Sequence, residues 1–79
     1  MMDANELRKK VRKEMFEVCV ILDACAVGLE HEHKYKGLEY RPGHSEQFRV
    51  VTKYSEVWTT TKFTDVNSAI DFYVSQPPR

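Results

Sequence analysis

The chain has few of the residues that bend, staple or end a fold: three glycines, three prolines and two cysteines in 79 residues. So few glycines leave no phosphate-cradling loop. No nucleophile–base pair or paired-carboxylate motif stands in its place, so an enzyme is not expected. Cys19 and Cys25 fall in one stretch that reads as helical. Six residues apart on a helix, their Cα atoms would stand roughly 9 Å apart, beyond the roughly 7 Å reach of a disulfide. They read as reduced thiols of a cytoplasmic protein, with no basic neighbour in sequence to make either one a reactive nucleophile. Long apolar runs are missing too. Val18–Leu29 is too short to span a bilayer, is interrupted by Asp23, and comes too late for a signal peptide. Neither sign of charge is in excess, with 12 basic and 12 acidic side chains, so any case for nucleic acid must rest on local patches. The length allows a single domain, residues 1–79, and a domain this small hides only roughly 60% of its unfolded surface.

What is present is concentrated in residues 3–33. Arg8, Lys9, Lys10, Arg12 and Lys13 place five positive charges in six positions, whereas 14–33 hold Glu14, Glu17, Asp23, Glu30 and Glu32 and no Lys or Arg. Asp3 suits a helix N-cap, and Glu6 three residues later completes a capping box. Glu6 with Lys10 and Lys13 with Glu17 are favourable i,i+4 pairs. Val11, Met15, Val18, Leu22, Cys25 and Leu29 recur at 4-3-4-3-4 spacing, a coiled-coil-like seam. This pattern predicts one long helix over about 3–30, with Gly28 either ending it or costing it about 1 kcal/mol.

Residues 34–47 read as a turn-rich connection. Arg41-Pro42-Gly43-His44 suits a type II turn, with a short strand Leu38–Arg41 before it. Aromatic and β-branched residues then predict a hairpin over 48–63. With Ser55-Glu56 as a two-residue turn, one face carries Phe48, Val50, Thr52, Tyr54, Val57, Thr59, Thr61 and Phe63. The other carries Arg49, Val51, Lys53, Trp58, Thr60 and Lys62. Ser-Glu is not a favoured turn pair, and a longer loop would exchange the faces. A second helix is predicted over 65–75, capped by Thr64 or Asp65, with Val66, Ala69, Ile70 and Tyr73 as its apolar stripe. Pro77-Pro78 forbid its continuation.

The expected class is α+β, a long N-terminal and a short C-terminal helix on a small antiparallel sheet in the order α-β-β-β-α. In architecture this resembles a double-stranded RNA-binding domain. That family carries a lysine cluster at the start of its last helix. Here the place reads Thr64-Asp65-Val66-Asn67, which argues against duplex RNA.

Two surfaces stand out as binding candidates. A hairpin and a short helix do not cover the girth of a helix over about 3–30. Val20, Ile21, Ala24 and Val27 therefore form an uncovered belt for a protein partner or a second copy, antiparallel so that the basic and acidic halves meet. The second surface is the polar hairpin face, where Arg49, Lys53, Trp58 and Lys62 set basic groups around an aromatic ring. The basic run Arg8–Lys13 reads first as a solvated or pairing face, with nucleic acid as its functional alternative. His31, His33 and His44 match no established zinc spacing, and no metal or other cofactor is expected. The function read from these features is a small non-catalytic protein-interaction module. Size class alone places it with regulators or inhibitors that occlude part of a larger complex, including those encoded by phages and mobile elements. The alternatives are a nucleic-acid-binding module using the hairpin face and a structural homodimer subunit. No membrane and no small-molecule substrate is expected.

Overall fold

The computed structural model describes residues 3–14, 20–27 and 34–78. Helix α1 (Ala4–Glu14) leads into strands β1 (Val20–Val27), β2 (Lys34–Tyr40), β3 (Phe48–Tyr54) and β4 (Val57–Phe63), and helix α2 (Val66–Ser75) closes the chain. The strands form one antiparallel sheet in the order β1-β2-β3-β4. The class is α+β, with a helix at each end of the order, but the sheet has four strands and the first helix has 11 residues.

The N-terminal cap forms as its sequence dictates. Asp3 Oδ1 accepts from Glu6 N–H at 2.8 Å, and the Asp3 carbonyl accepts from Leu7 N–H at 3.0 Å. The helix does not run on through the apolar segment. Residues 20–27 are an edge strand, paired with β2 from Val20↔Tyr40 to Val27↔Lys34. Two physical reasons explain the difference. Val20, Ile21 and Val27 are β-branched and lose little in an extended chain. A bulge between Ile21 and Asp23 also breaks the period of two. Leu22, fully buried, and Asp23, which reaches Tyr73, both lie on the helix side, while Cys25 follows on that side opposite Lys36. Leu22 and Cys25 thus recur three apart, as do Ile21 and Ala24 on the opposite face, and the bulge imitates a helical stripe. Cys25 is a half-buried free thiol; Cys19, Met15, Val18, Gly28, His31 and His33 lie outside the described residues.

The hairpin has the register that a two-residue turn requires: Tyr54↔Val57, Lys53↔Trp58, Arg49↔Lys62 and Phe48↔Phe63. Ser55 takes φ 56° to make that turn. Gly43, at φ 89°, supplies the left-handed residue of the Pro42-Gly43 turn. The Arg41–Gln47 loop is closed by Arg41 N–H donating to the Gln47 carbonyl at 2.6 Å. The short strand predicted at Leu38–Arg41 is part of a longer one, Lys34–Tyr40. Asp65 caps α2 by accepting from Ser68 N–H at 2.9 Å and Ser68 Oγ at 3.0 Å.

Both helices pack on one face of the sheet. The core there is Leu7, Val11, Leu22, Leu38, Tyr40, Phe48, Val50, Ala69, Ile70 and Tyr73, flanked by Phe63 and Phe72. One charged residue sits inside it. Lys36, on the central strand β2, is 0% exposed. Its Nζ donates to the Tyr73 carbonyl at 2.8 Å and the Gln76 carbonyl at 3.0 Å, and stands 4.5 Å from the centre of the Tyr73 ring. The last turn of α2 carries no basic residue of its own, so a lysine from the sheet meets the negative end of the helix dipole. Tyr73 continues the chain of contacts. Its hydroxyl donates to Asp23 Oδ2 at 2.8 Å, and Asp23 Oδ1 lies 3.8 Å from Lys10 Nζ on α1.

Two outcomes follow from this core. Lys36→Met removes the lysine donor from two carbonyls at the end of α2, of which that of Tyr73 keeps only the weaker bond from Gln76 N–H at 3.2 Å, and should cost about 2–3 kcal/mol in denaturant unfolding. Lys34→Met, on the same face but half-exposed, should stay within about 0.5 kcal/mol. Burial, and then the hydrogen bond to Asp23, raises the ionisation of the Tyr73 hydroxyl well above that of a free tyrosine. Unfolding releases a phenol that ionises near its ordinary pKa of about 10. The contribution of Tyr73 is therefore fully present below that pH and is lost as pH rises above it. Tyr73→Phe should lower stability at pH 7 by about 1–2 kcal/mol and flatten the decline between pH 9 and 11.

Candidate binding face

The face of the sheet opposite the helices carries the side chains that alternate with the core. From β1 these are Ile21, Ala24 and Ala26. From β2 they are Tyr35, Gly37 and Glu39. β3 gives Arg49, Val51 and Lys53, and β4 gives Trp58, Thr60 and Lys62. The registers place them in three rows across the strands: Ile21-Glu39-Arg49-Lys62, Ala24-Gly37-Val51-Thr60 and Ala26-Tyr35-Lys53-Trp58.

The aromatic row is ordered by direct contacts. The Tyr35 and Trp58 rings meet edge to face with centroids 6.0 Å apart, across the intervening strand β3. Lys53 Nζ lies 5.2 Å from the centre of the Trp58 ring, within cation–π range. Trp58 is nevertheless 60% exposed. Gly37 explains where Tyr35 lies. A Cβ at Gly37 would come within 2.5 Å of Tyr35 Oη, so the ring lies back over the glycine in the space that a side chain there would fill.

The charged row is unbalanced. The carboxylate of Glu39 is taken by Arg41, whose Nε and Nη2 reach Oε1 at 3.2 and 3.1 Å. Arg49 and Lys62 then stand opposite each other, a mildly destabilising pairing. Arg49 Nε is buried and has no hydrogen-bond partner. A buried, unpaired guanidinium N–H costs on the order of 1–3 kcal/mol.

The two surfaces expected from the sequence fare differently. Arg49, Lys53, Trp58 and Lys62 come together on this face. The belt of Val20, Ile21, Ala24 and Val27 does not exist as a helix surface, because those residues lie on a strand. Ile21 and Ala24 are exposed on the open face, whereas Val27, also exposed, sits opposite Lys34 on the other side of the sheet. The antiparallel helix pairing built on that belt falls with it, and so does the α-β-β-β-α likeness to a double-stranded RNA-binding domain. One of the four strands of the open face, carrying Tyr35, Gly37 and Glu39, belongs to a segment read from the sequence as a connection. The alternation Tyr35-Gly37-Glu39 was its signal, hidden by Lys34 and Lys36 at positions that a core strand would fill with apolar residues.

The basic run of α1 is partly engaged within the fold. Arg8 donates to Asn67 Oδ1 and Asp71 Oδ1, each at 3.0 Å, and Lys10 faces Asp23. Lys9 and Arg12 remain exposed. No helix among the described residues is long and apolar enough to cross a membrane. Comparison with protein-family models, with curated proteins and with solved structures returns no match.

Gly37→Ala tests how the face is built. It should force Tyr35 off the glycine and break its contact with Trp58. The indole fluorescence should change while far-UV dichroism and the unfolding midpoint shift little, since the clash is with the free end of a side chain. An unaltered indole signal would mean that Tyr35 does not rest there.

Proposed function

We propose that the protein is a non-catalytic interaction module that docks on an acidic surface of a larger protein partner through the open face of its sheet, acting by occluding that surface. The observation that carries this reading is the placement of Arg49, on an inner strand of a sheet face left open among the described residues, with an unpartnered buried N–H and a second cation, Lys62, beside it. A carboxylate arriving from a partner would pair with the two adjacent cations, Arg49 and Lys62. Arg, Trp and Tyr are the residue types that dominate binding energy at protein interfaces, and Arg49, Trp58 and Tyr35 share this face. Its neighbours Val51, Ile21 and Ala24 add apolar area. The reactive groups here are cations and rings, and the carboxylate of Glu39 is held by Arg41. That leaves no acid–base pair on the face for chemistry.

A specific observation favours a second reading, the binding of single-stranded nucleic acid. Trp58 and Tyr35 lie within reach of Lys53, and base stacking on such rings beside phosphate-binding lysines is the usual means of holding an unpaired strand.

The two readings part under one pair of measurements. Lys53→Glu with Lys62→Glu should release the partner protein in affinity capture from the native host, while Lys9→Glu with Arg12→Glu on the helical side should retain it. Retention of the same protein by both double variants would sink the docking face. Titration of Trp58 fluorescence with an oligothymidine should show no change under the protein reading. Quenching at low salt that disappears at high salt would instead establish the nucleic-acid reading.

A further inference from the structure

The edges of the sheet are unlike each other. β1 carries the bulge between Ile21 and Asp23, a device that spoils an edge for further pairing. β4 is a regular seven-residue strand, Val57–Phe63, with no proline and no bulge. Val57, Trp58, Thr59, Thr60 and Lys62 are all exposed. Its backbone polarity follows from the hairpin. A two-residue turn makes Tyr54 and Val57 a hydrogen-bonded pair, and such pairs alternate along an antiparallel ladder. Val57, Thr59, Thr61 and Phe63 therefore bond to β3; consistent with this, Thr52 Oγ1 donates to the Thr59 carbonyl at 3.4 Å. The N–H and C=O groups of Trp58, Thr60 and Lys62 point outward.

We propose that a second copy of the chain pairs antiparallel along β4, with the twofold axis at Thr60. In this register Thr60 meets Thr60 of the copy, and Trp58 meets Lys62 at both ends, so every outward backbone group of these three residues has a partner. The side chains match as well. Lys62 lies across from an indole, a cation–π pairing made twice by symmetry. Val57, 66% exposed in one copy, faces Phe63, and Thr59 faces Thr61. The sequence Val-Trp-Thr-Thr-Thr-Lys-Phe is thus complementary to its own reverse. A lysine on an edge strand ordinarily repels further strands, but here its opposite residue is aromatic and uncharged. Pairing consumes both β4 edges and closes, leaving the bulged β1 edges outermost. The result is an eight-stranded sheet with all four helices on one side and the two open faces joined into one surface across the axis.

Sedimentation equilibrium into the high-micromolar range reads the mass directly. The expected value tends to twice 9.3 kDa. Trp58→Lys places lysine against lysine at both ends and should weaken dimerisation roughly tenfold or more. Adding Lys62→Glu to that variant should restore it. Positions 58 and 62 lie on the same strand, too far apart to touch within one copy. Because Lys62→Glu also relieves the pairing with Arg49, Lys62→Glu alone is the control and should not strengthen dimerisation, so that rescue confined to the double variant reports the proposed register. Far-UV dichroism confirms that each variant stays folded. A wild-type mass of 9.3 kDa throughout, or a Trp58→Lys dimer that the second substitution leaves unrestored, would overturn the proposal.

Discussion

The arrangement of the molecule turns on one buried cation. Lys36 stands in the second strand of a small sheet, beneath a helix, and is removed entirely from water. A lysine is seldom buried unless its charge is met, and here the Tyr73 and Gln76 carbonyls at the end of α2 meet it. The requirement acts in both directions. The helix has no basic residue in its last turn, so its negative end needs a donor from elsewhere. The lysine needs acceptors, and the end of the helix offers it two. Their mutual need sets the position of α2 along β2. It also brings the Tyr73 ring over the ammonium and the Tyr73 hydroxyl to Asp23, which ties in β1 and, through Lys10, α1.

With both helices held on the Lys36 side, the other face of the sheet has no cover among the described residues. Its composition suits that position poorly if it is only a solvated surface. A solvated face has no use for an arginine whose Nε is hidden from water without a partner, nor for a tryptophan held in place by a tyrosine that rests on a glycine. The helical side shows the opposite economy. Arg8 and Lys10 are committed to Asn67, Asp71 and Asp23, so a basic run that looked available in the sequence is partly neutralised by the fold. Local charge, rather than the net charge of zero, separates the two sides.

How much of this could be read from the sequence varies by element, for definite reasons. The cap at Asp3, the cap at Asp65, the stripe Ala69-Ile70-Tyr73, the turn at Gly43 and the full register of the 48–63 hairpin all rest on local signals that tertiary packing left intact. The segment 20–27 does not. Its bulge put inward residues three apart, and periodicity then reported a helix where the β-branched residues pointed to a strand. β2 was obscured differently. A buried lysine and a covered glycine at its centre look like loop residues until their partners are known, and those partners lie on α2 and on Tyr35. Both failures fall where the chain breaks a local rule and compensates for it at long range.

The hairpin turn joins these matters. Because Ser55-Glu56 is a two-residue turn, the odd-numbered residues of β4 bond to β3 and face the helices. The even-numbered ones, Trp58, Thr60 and Lys62, direct their backbone outward and their side chains to the open face. A turn longer by one residue would separate the two properties, or exchange the faces and bury the cations against the core. As built, the residues on which a partner would land are the same ones whose backbone is unpaired. The open face and the free edge are therefore one continuous surface, and whatever occupies the edge also shapes the face. A second strand along β4 would set another lysine beside Trp58 and leave Arg49, one strand in from that edge, in the same row as Lys62. The row of charge would then run on across the axis, and the surface that an acidic partner meets would be wider than a single sheet of this size provides.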